Sequence, residues 1–82
     1  PNKDGQNEIF KPVITGIDEN NYKLYIFDRW GRQTFFTDDV NMGWDGTEND
    51  KECESAVYVY NVYYTSVIGK AYKIKGTVTL LK

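Results

Sequence analysis

Three stretches of this chain switch side-chain character at every second residue, and that period narrows the fold more than any other feature. In Tyr22 to Asp28, the side chains of Tyr22, Leu24 and Ile26 take one side and those of Lys23, Tyr25 and Phe27 the other. Ala56 to Ser66 sets Val57, Val59 and Asn61 against Tyr58, Tyr60, Val62 and Tyr64. Ala71 to Leu81 sets Tyr72, Ile74, Gly76, Val78 and Leu80, expected to face inward, against Lys73, Lys75, Thr77 and Thr79. A period of two belongs to β-strands, whose successive side chains point to opposite faces. No window of eleven residues carries apolar residues at helical spacing. Composition agrees: seven Tyr, four Phe and two Trp bring aromatics to 16%, and such residues suit a pleated, half-buried surface.

Shorter signals fill in the order. Ile9 to Ile14 reads as a short strand broken at Pro12, which lacks an N–H and belongs at an edge or bulge. Thr15 to Asn21 reads as a turn, Arg29-Trp30-Gly31-Arg32 as a tight connection, and Gln33 to Thr37 as the return strand of a hairpin. Asp38 to Ser55 has no period and carries Trp44-Asp45-Gly46 in its middle. A loop of that length in a small domain is packed by its own side chains or is functional. Val67 to Lys70 turns at Gly69. The fold class is all-β: a small immunoglobulin-like or Greek-key β-sandwich of about seven strands, with residues 1–82 as one domain. Pro1 stands where an initiator Met would, and no signal-peptide pattern follows, so the chain reads as a piece cut from a longer protein.

Composition also removes function classes. With no His and one Cys (Cys53), the chain has no disulfide, no zinc constellation and no Cys–His or Ser–His–Asp machinery. A formal net charge of −2 is the wrong sign for a nucleic-acid binder. No apolar run reaches the roughly 18 residues that a membrane helix requires. Asp38, Asp39, Asp45, Glu48 and Asp50 crowd the long loop, but acid–base hydrolysis needs one carboxylate in an apolar pocket, which a polar loop does not offer.

What remains is binding. Asn2, Asp4, Asn7 and Glu8 place oxygens at near-alternate positions around Gly5, the donor type Ca²⁺ takes; the competing reading is an Asx-turn opening the first strand. No cofactor is required otherwise. An exposed Trp beside Arg has the composition of an interface hot spot, which makes Arg29, Trp30, Arg32, Trp44 and Asp45 candidate partner contacts. Against this, Trp30 and Trp44 are the large side chains that a core poor in Leu needs as plugs, and for each ring the plug is the favoured reading. The row Tyr58, Tyr60, Tyr63, Tyr64 and Tyr72 fits a sugar-stacking platform, and more readily fits cross-strand packing. The last strand, with Lys73, Lys75 and the terminal Lys82, is either paired on both sides or an edge open to strand addition.

Four patches carry a family resemblance: Pro1-Asn2-Lys3-Asp4-Gly5-Gln6-Asn7-Glu8-Ile9-Phe10, then Leu24-Tyr25-Ile26-Phe27-Asp28-Arg29-Trp30-Gly31, then Trp44-Asp45-Gly46-Thr47, and last Val57-Tyr58-Val59-Tyr60 with Lys75-Gly76-Thr77-Val78-Thr79-Leu80. In this order and spacing they resemble the gliding-motility-associated C-terminal domain, the type B sorting domain of the type IX secretion system in Bacteroidetes. Lys3, Glu8 and Ala56 depart from the family's Gly, Asp and Gly. The resemblance implies a non-enzymatic C-terminal signal that directs a large cargo such as an adhesin across the outer membrane to the cell surface or beyond. It implies the secretion machinery and a PorP/SprF-like outer-membrane protein as partners, with no membrane insertion and no small-molecule substrate. The alternative is a calcium-dependent adhesion or glycan-binding module of a surface protein.

Overall fold

The alternating segments become the long strands of one antiparallel sheet. The structure, a computed structural model, describes residues 9–48 and 51–80. Six strands follow in order: β1 (Ile17–Phe27), β2 (Gln33–Thr37), β3 (Thr47–Glu48), β4 (Lys51–Glu52), β5 (Ala56–Ser66) and β6 (Ala71–Leu80). The main sheet runs β2-β1-β5-β6, and β3 and β4 form a separate two-stranded sheet. All pairings are antiparallel, and no helix occurs among the described residues. The architecture is a small β-sandwich of six strands, with one full sheet and a much smaller second layer.

Alternation sets the register as expected. Tyr22, Leu24 and Ile26 of β1 and Tyr58 and Val62 of β5 are buried, and together with Trp44 and Leu80 they make the core. On the opposite face Tyr25 packs edge-on against Tyr63 across the ladder and tilts onto Phe36 of β2, with centroids 5.7 and 5.0 Å apart. These are the cross-strand pairs that stabilise a sheet face open to water. Tyr64 and Tyr72 stand opposite each other in the β5–β6 ladder, nearly parallel at 5.2 Å. Of the candidate Tyr row, Tyr63 therefore lies on one face and Tyr58, Tyr60, Tyr64 and Tyr72 on the other.

Three expectations are corrected. The segment from Ile9 to Ile14 is no strand: a single bridge joins Phe10 to Trp44, through Phe10 N–H to Trp44 C=O at 2.8 Å and Trp44 N–H to Phe10 C=O at 2.9 Å. Pro12, two residues on, has no N–H with which to extend such a ladder. The loop from Asp38 to Ser55 holds the β3–β4 ladder, whose pairs are Thr47 with Glu52 and Glu48 with Lys51. The inward face of β6 is only partly covered. Leu80 is buried, but Tyr72 and Ile74 keep 40% and 36% of their surface exposed, because the residues packed over the sheet, among them Phe10, Ile14, Val40 and Cys53, leave that corner of the sheet open.

Between Ile17 and Tyr22 the β1–β5 register shifts. There the Asp18 carboxylate accepts from the Asn20 N–H at 3.0 Å and from Asn21 Nδ2 at 2.9 Å. This is the local alternative to ladder pairing that Asx side chains offer; the turn expected at Thr15 to Asn21 shrinks to a bend at Thr15 and Gly16, and Ile17 to Asn21 belong to β1 as an irregular stretch of strand.

Candidate partner-binding surface

The β1–β2 connection builds the most exposed aromatic surface of the molecule. Asp28 N–H donates to Arg32 C=O and Gly31 N–H donates to Asp28 C=O, both at 3.0 Å. That pattern is a three-residue hairpin loop, a type I turn closed by a bulge residue of positive φ. Gly31 supplies it, with φ of 83°, at no steric cost. The Asp28 carboxylate fastens the loop from inside, its Oδ1 accepting from the Trp30 and Arg32 backbone N–H groups at 2.9 Å each. Its Oδ2 faces Arg32 Nε at 3.2 Å. The Arg32 guanidinium then forks onto Glu48, at 2.6 and 2.9 Å to its two carboxylate oxygens, tying this turn to β3.

The same geometry sets the charges. The Arg32 backbone N–H, with that of Trp30 and the nearby guanidinium, holds the Asp28 carboxyl below its ordinary value, outweighing the opposing effect of burial. The hydrogen bond from Arg32 likewise lowers Glu48, and Glu48 raises Arg32. A carboxylate whose folded value is depressed contributes stability that is complete above the unfolded value and is lost as the pH falls through the folded one. The unfolded reference values here are 3.8 and 4.5. Asp28→Asn keeps an oxygen acceptor and removes the charge, so its melting temperature should fall below that of the parent at about pH 7, and the gap should close by about pH 2. Thermal unfolding followed by circular dichroism at both pH values checks this; a gap of equal size at both would refute it.

Trp30, at the top of this loop, is 73% exposed, and the Arg29 guanidinium lies over its ring at 4.4 Å. Arg29 also faces Glu54 at 3.6 Å, both side chains being largely exposed. Below the loop, Tyr58 donates its hydroxyl to Glu54 C=O at 2.8 Å, and burial pushes that phenol's pKa up. The result is a cation-capped indole on a turn with little freedom.

The candidate contacts thus divide. Arg29 and Trp30 form the exposed tip. Arg32 has its Nε and both terminal nitrogens engaged, which makes it the strut of the tip. Trp44 is fully buried, with Nε1–H donating to Thr47 C=O at 3.0 Å and its ring edge-on to Tyr58 at 5.0 Å. A partner does not reach that ring, so as a contact Trp44 is withdrawn, and the plug reading is the correct one. For Trp30 the plug reading fails, because a loop tip has no core to fill. Asp45 is exposed and turns inward on its own loop, its Oδ1 accepting from Thr47 N–H and Oγ1. Lys73 and Lys75 are exposed on the outer face of β6. Asn2, Asp4, Asn7, Glu8 and Lys82 lie outside the described residues; among those described, no group of three carboxylate or thiol side chains is placed to hold a metal ion.

One surface feature escaped the sequence reading. The β5–β6 turn repeats the design of the first: Ser66 N–H donates to Lys70 C=O, Gly69 N–H to Ser66 C=O, and Lys70 N–H to Ser66 Oγ, with Gly69 at a φ of 89°. Val67 and Ile68 at its tip are 71% and 83% exposed. Since β1 and β5 run antiparallel, the two tips stand at opposite ends of the sheet. The shared signal is a capping side chain three residues before Gly, Asp28 to Gly31 and Ser66 to Gly69.

The domain thus carries a four-stranded sheet with a small second layer, and its most exposed aromatic side chain, Trp30, stands at the tip of the β1–β2 turn. The chain matches the family model of the CHU_C type IX secretion signal domain over residues 1–80, and it belongs to that family. It is thus a sorting-signal domain, of the kind that marks cargo for export across the outer membrane. No curated protein and no solved structure matches it.

Proposed function

We propose that this domain acts at the C-terminus of a larger cargo as a folded binding signal, without catalysis. In this reading the outer-membrane secretion machinery, through a PorP/SprF-like protein, docks on the Arg29–Trp30 tip and the cargo is placed on the cell surface. The observation that supports it best is Trp30 itself: a large indole left 73% exposed on a turn fixed by Asp28. Trp and Arg are enriched among the residues that carry the energy of protein interfaces, and here the two are stacked on each other at one exposed tip. Calcium at Asn2, Asp4, Asn7 and Glu8 would serve to stabilise the signal in this scheme.

The test is a fluorescent reporter with an N-terminal export signal and these residues at its C-terminus, expressed with the cognate PorP/SprF-like protein. A type IX-competent strain and a strain lacking that machinery are compared. Surface or medium fluorescence in the competent strain alone is the expected result. Retention in the periplasm of both strains would overturn the reading and favour the adhesion or glycan-binding alternative.

A further inference from the structure

The main sheet has a long edge at β6 that no described residue pairs with. Its free groups follow from the register. Ser66 N–H bonds to Lys70 C=O, which makes that facing pair a hydrogen-bonded one, and pairing then runs without a shift from Thr65 with Ala71 to Ala56 with Leu80. Hydrogen-bonded and non-bonded pairs alternate along an antiparallel ladder. Tyr72, Ile74, Gly76 and Val78 therefore bond to β5, and the N–H and C=O groups of Lys73, Lys75, Thr77 and Thr79 point away from the sheet. At about 3.4 Å per residue they form a template of about 20 Å, with no Pro and no bulge to interrupt it.

Two further observations fall on the same edge. Tyr72 and Ile74 sit on the core face yet stay 40% and 36% exposed, so an added strand would cover apolar surface there. On the other face Lys73 and Lys75 are exposed, Lys73 lies over the Tyr63 ring at 5.4 Å, and among the described residues no carboxylate pairs with either. Lysines on an edge repel a strand of like charge, which disfavours a second copy of this chain. The same charges attract an acidic strand.

We propose that β6 is completed by strand addition from a partner protein, whose extended segment carries carboxylates on the side facing Lys73 and Lys75 and apolar residues on the side facing Tyr72 and Ile74. This rests on the sorting reading above and names a second contact of the same signal. Main-chain bonds supply the affinity in such a complex, and the alternating side chains the selectivity.

Thr77→Pro tests it, because Pro removes one outward N–H and no bond to β5, and edge positions tolerate Pro. The reporter is followed for the parent domain, Thr77→Pro, Thr77→Ser and the double variant Lys73→Glu, Lys75→Glu, alongside thermal unfolding of each domain. The expected result is export at parent level for Thr77→Ser and at least tenfold less for a folded Thr77→Pro and for the double variant. A folded Thr77→Pro exported like the parent overturns strand addition and leaves the sorting reading standing. A parent domain exported in neither strain overturns the sorting reading instead. Should Thr77→Pro unfold, the double variant decides, and its undiminished export refutes the proposal. A parent domain that dimerises on sedimentation, with the dimer lost in Thr77→Pro, would identify the occupant as a second copy and overturn the proposal as well.

Discussion

Trp44→Ala should destabilise this domain by about 3–5 kcal/mol, the range for emptying a buried Trp site. At about 0.05–0.15 kcal/mol per residue, a domain of this length has about 4–12 kcal/mol in total. The substitution therefore takes about a quarter of the stability at least, and brings a domain at the low end to the point of unfolding at room temperature. Several connections fail together. The indole is fully buried, it supports Tyr58 edge-on, and its Nε1–H satisfies Thr47 C=O at the start of the β3–β4 hairpin. Its own backbone is bridged to Phe10, whose ring packs on Tyr60 at 5.0 Å. Because the second layer is mostly irregular chain, this one side chain does much of the work that an opposing sheet does in larger sandwiches. Thermal unfolding should show a midpoint at least ~12 °C lower, taking about 4 °C per kcal/mol for a domain of this size. A fall of only a few degrees would mean that the layer over the sheet is held by other contacts.

The strands that were legible in the sequence are those whose two faces meet different surroundings. Tyr22 and Leu24 are buried while Lys23 between them is exposed, and a one-residue slip would reverse that; the alternation is the physical cause of the register. The β3–β4 hairpin was not legible, because strands of two residues are too short to show a period. Nor was the open corner at Tyr72 and Ile74: alternation says which face a side chain takes, and whether anything lies over that face is decided by the path of a distant loop. The two Trp residues separate on the same principle. Arg29-Trp30-Gly31 and Gly43-Trp44-Asp45-Gly46 look alike by composition. What distinguishes them is that Trp30 falls inside an Asp28-to-Gly31 turn, whose central residues project from the end of the hairpin, whereas Trp44 is held by an isolated bridge to Phe10 and lies buried in the core. The turn signature is present in the sequence, but the plug is the favoured reading there for both rings, and it is the exposure of Trp30 in the fold that overturns it; the partner of Trp44, Phe10, lies 34 positions away and carries no local mark.

Trp30→Ala should do the reverse of Trp44→Ala: leave the fold nearly unchanged and abolish most of the signal. The Asp28 clamp holds the turn through backbone N–H groups of residues 30 and 32, which an alanine retains. The Arg29 stacking that is lost is an exposed cation–π contact, worth about 0.5–1 kcal/mol. Stability should therefore change by no more than about 1 kcal/mol, a shift of about 4–8 °C in the melting temperature at most. Binding is another matter. A central Trp anchor typically costs at least about 2 kcal/mol when truncated, which is a loss of about 30-fold in affinity. Export of the reporter should fall accordingly in the competent strain, while Trp30→Phe, which keeps an aromatic face for Arg29 and for a partner, should retain an intermediate level. Val67→Ser with Ile68→Ser, at the opposite tip, provides the comparison: it removes exposed apolar surface of similar extent from the far end of the sheet. If docking is through the Arg29–Trp30 tip, that variant exports like the parent. Equal loss from both ends would show that exposed apolar surface as such is what the machinery reads, and full export by a folded Trp30→Ala would remove the tip from the binding surface.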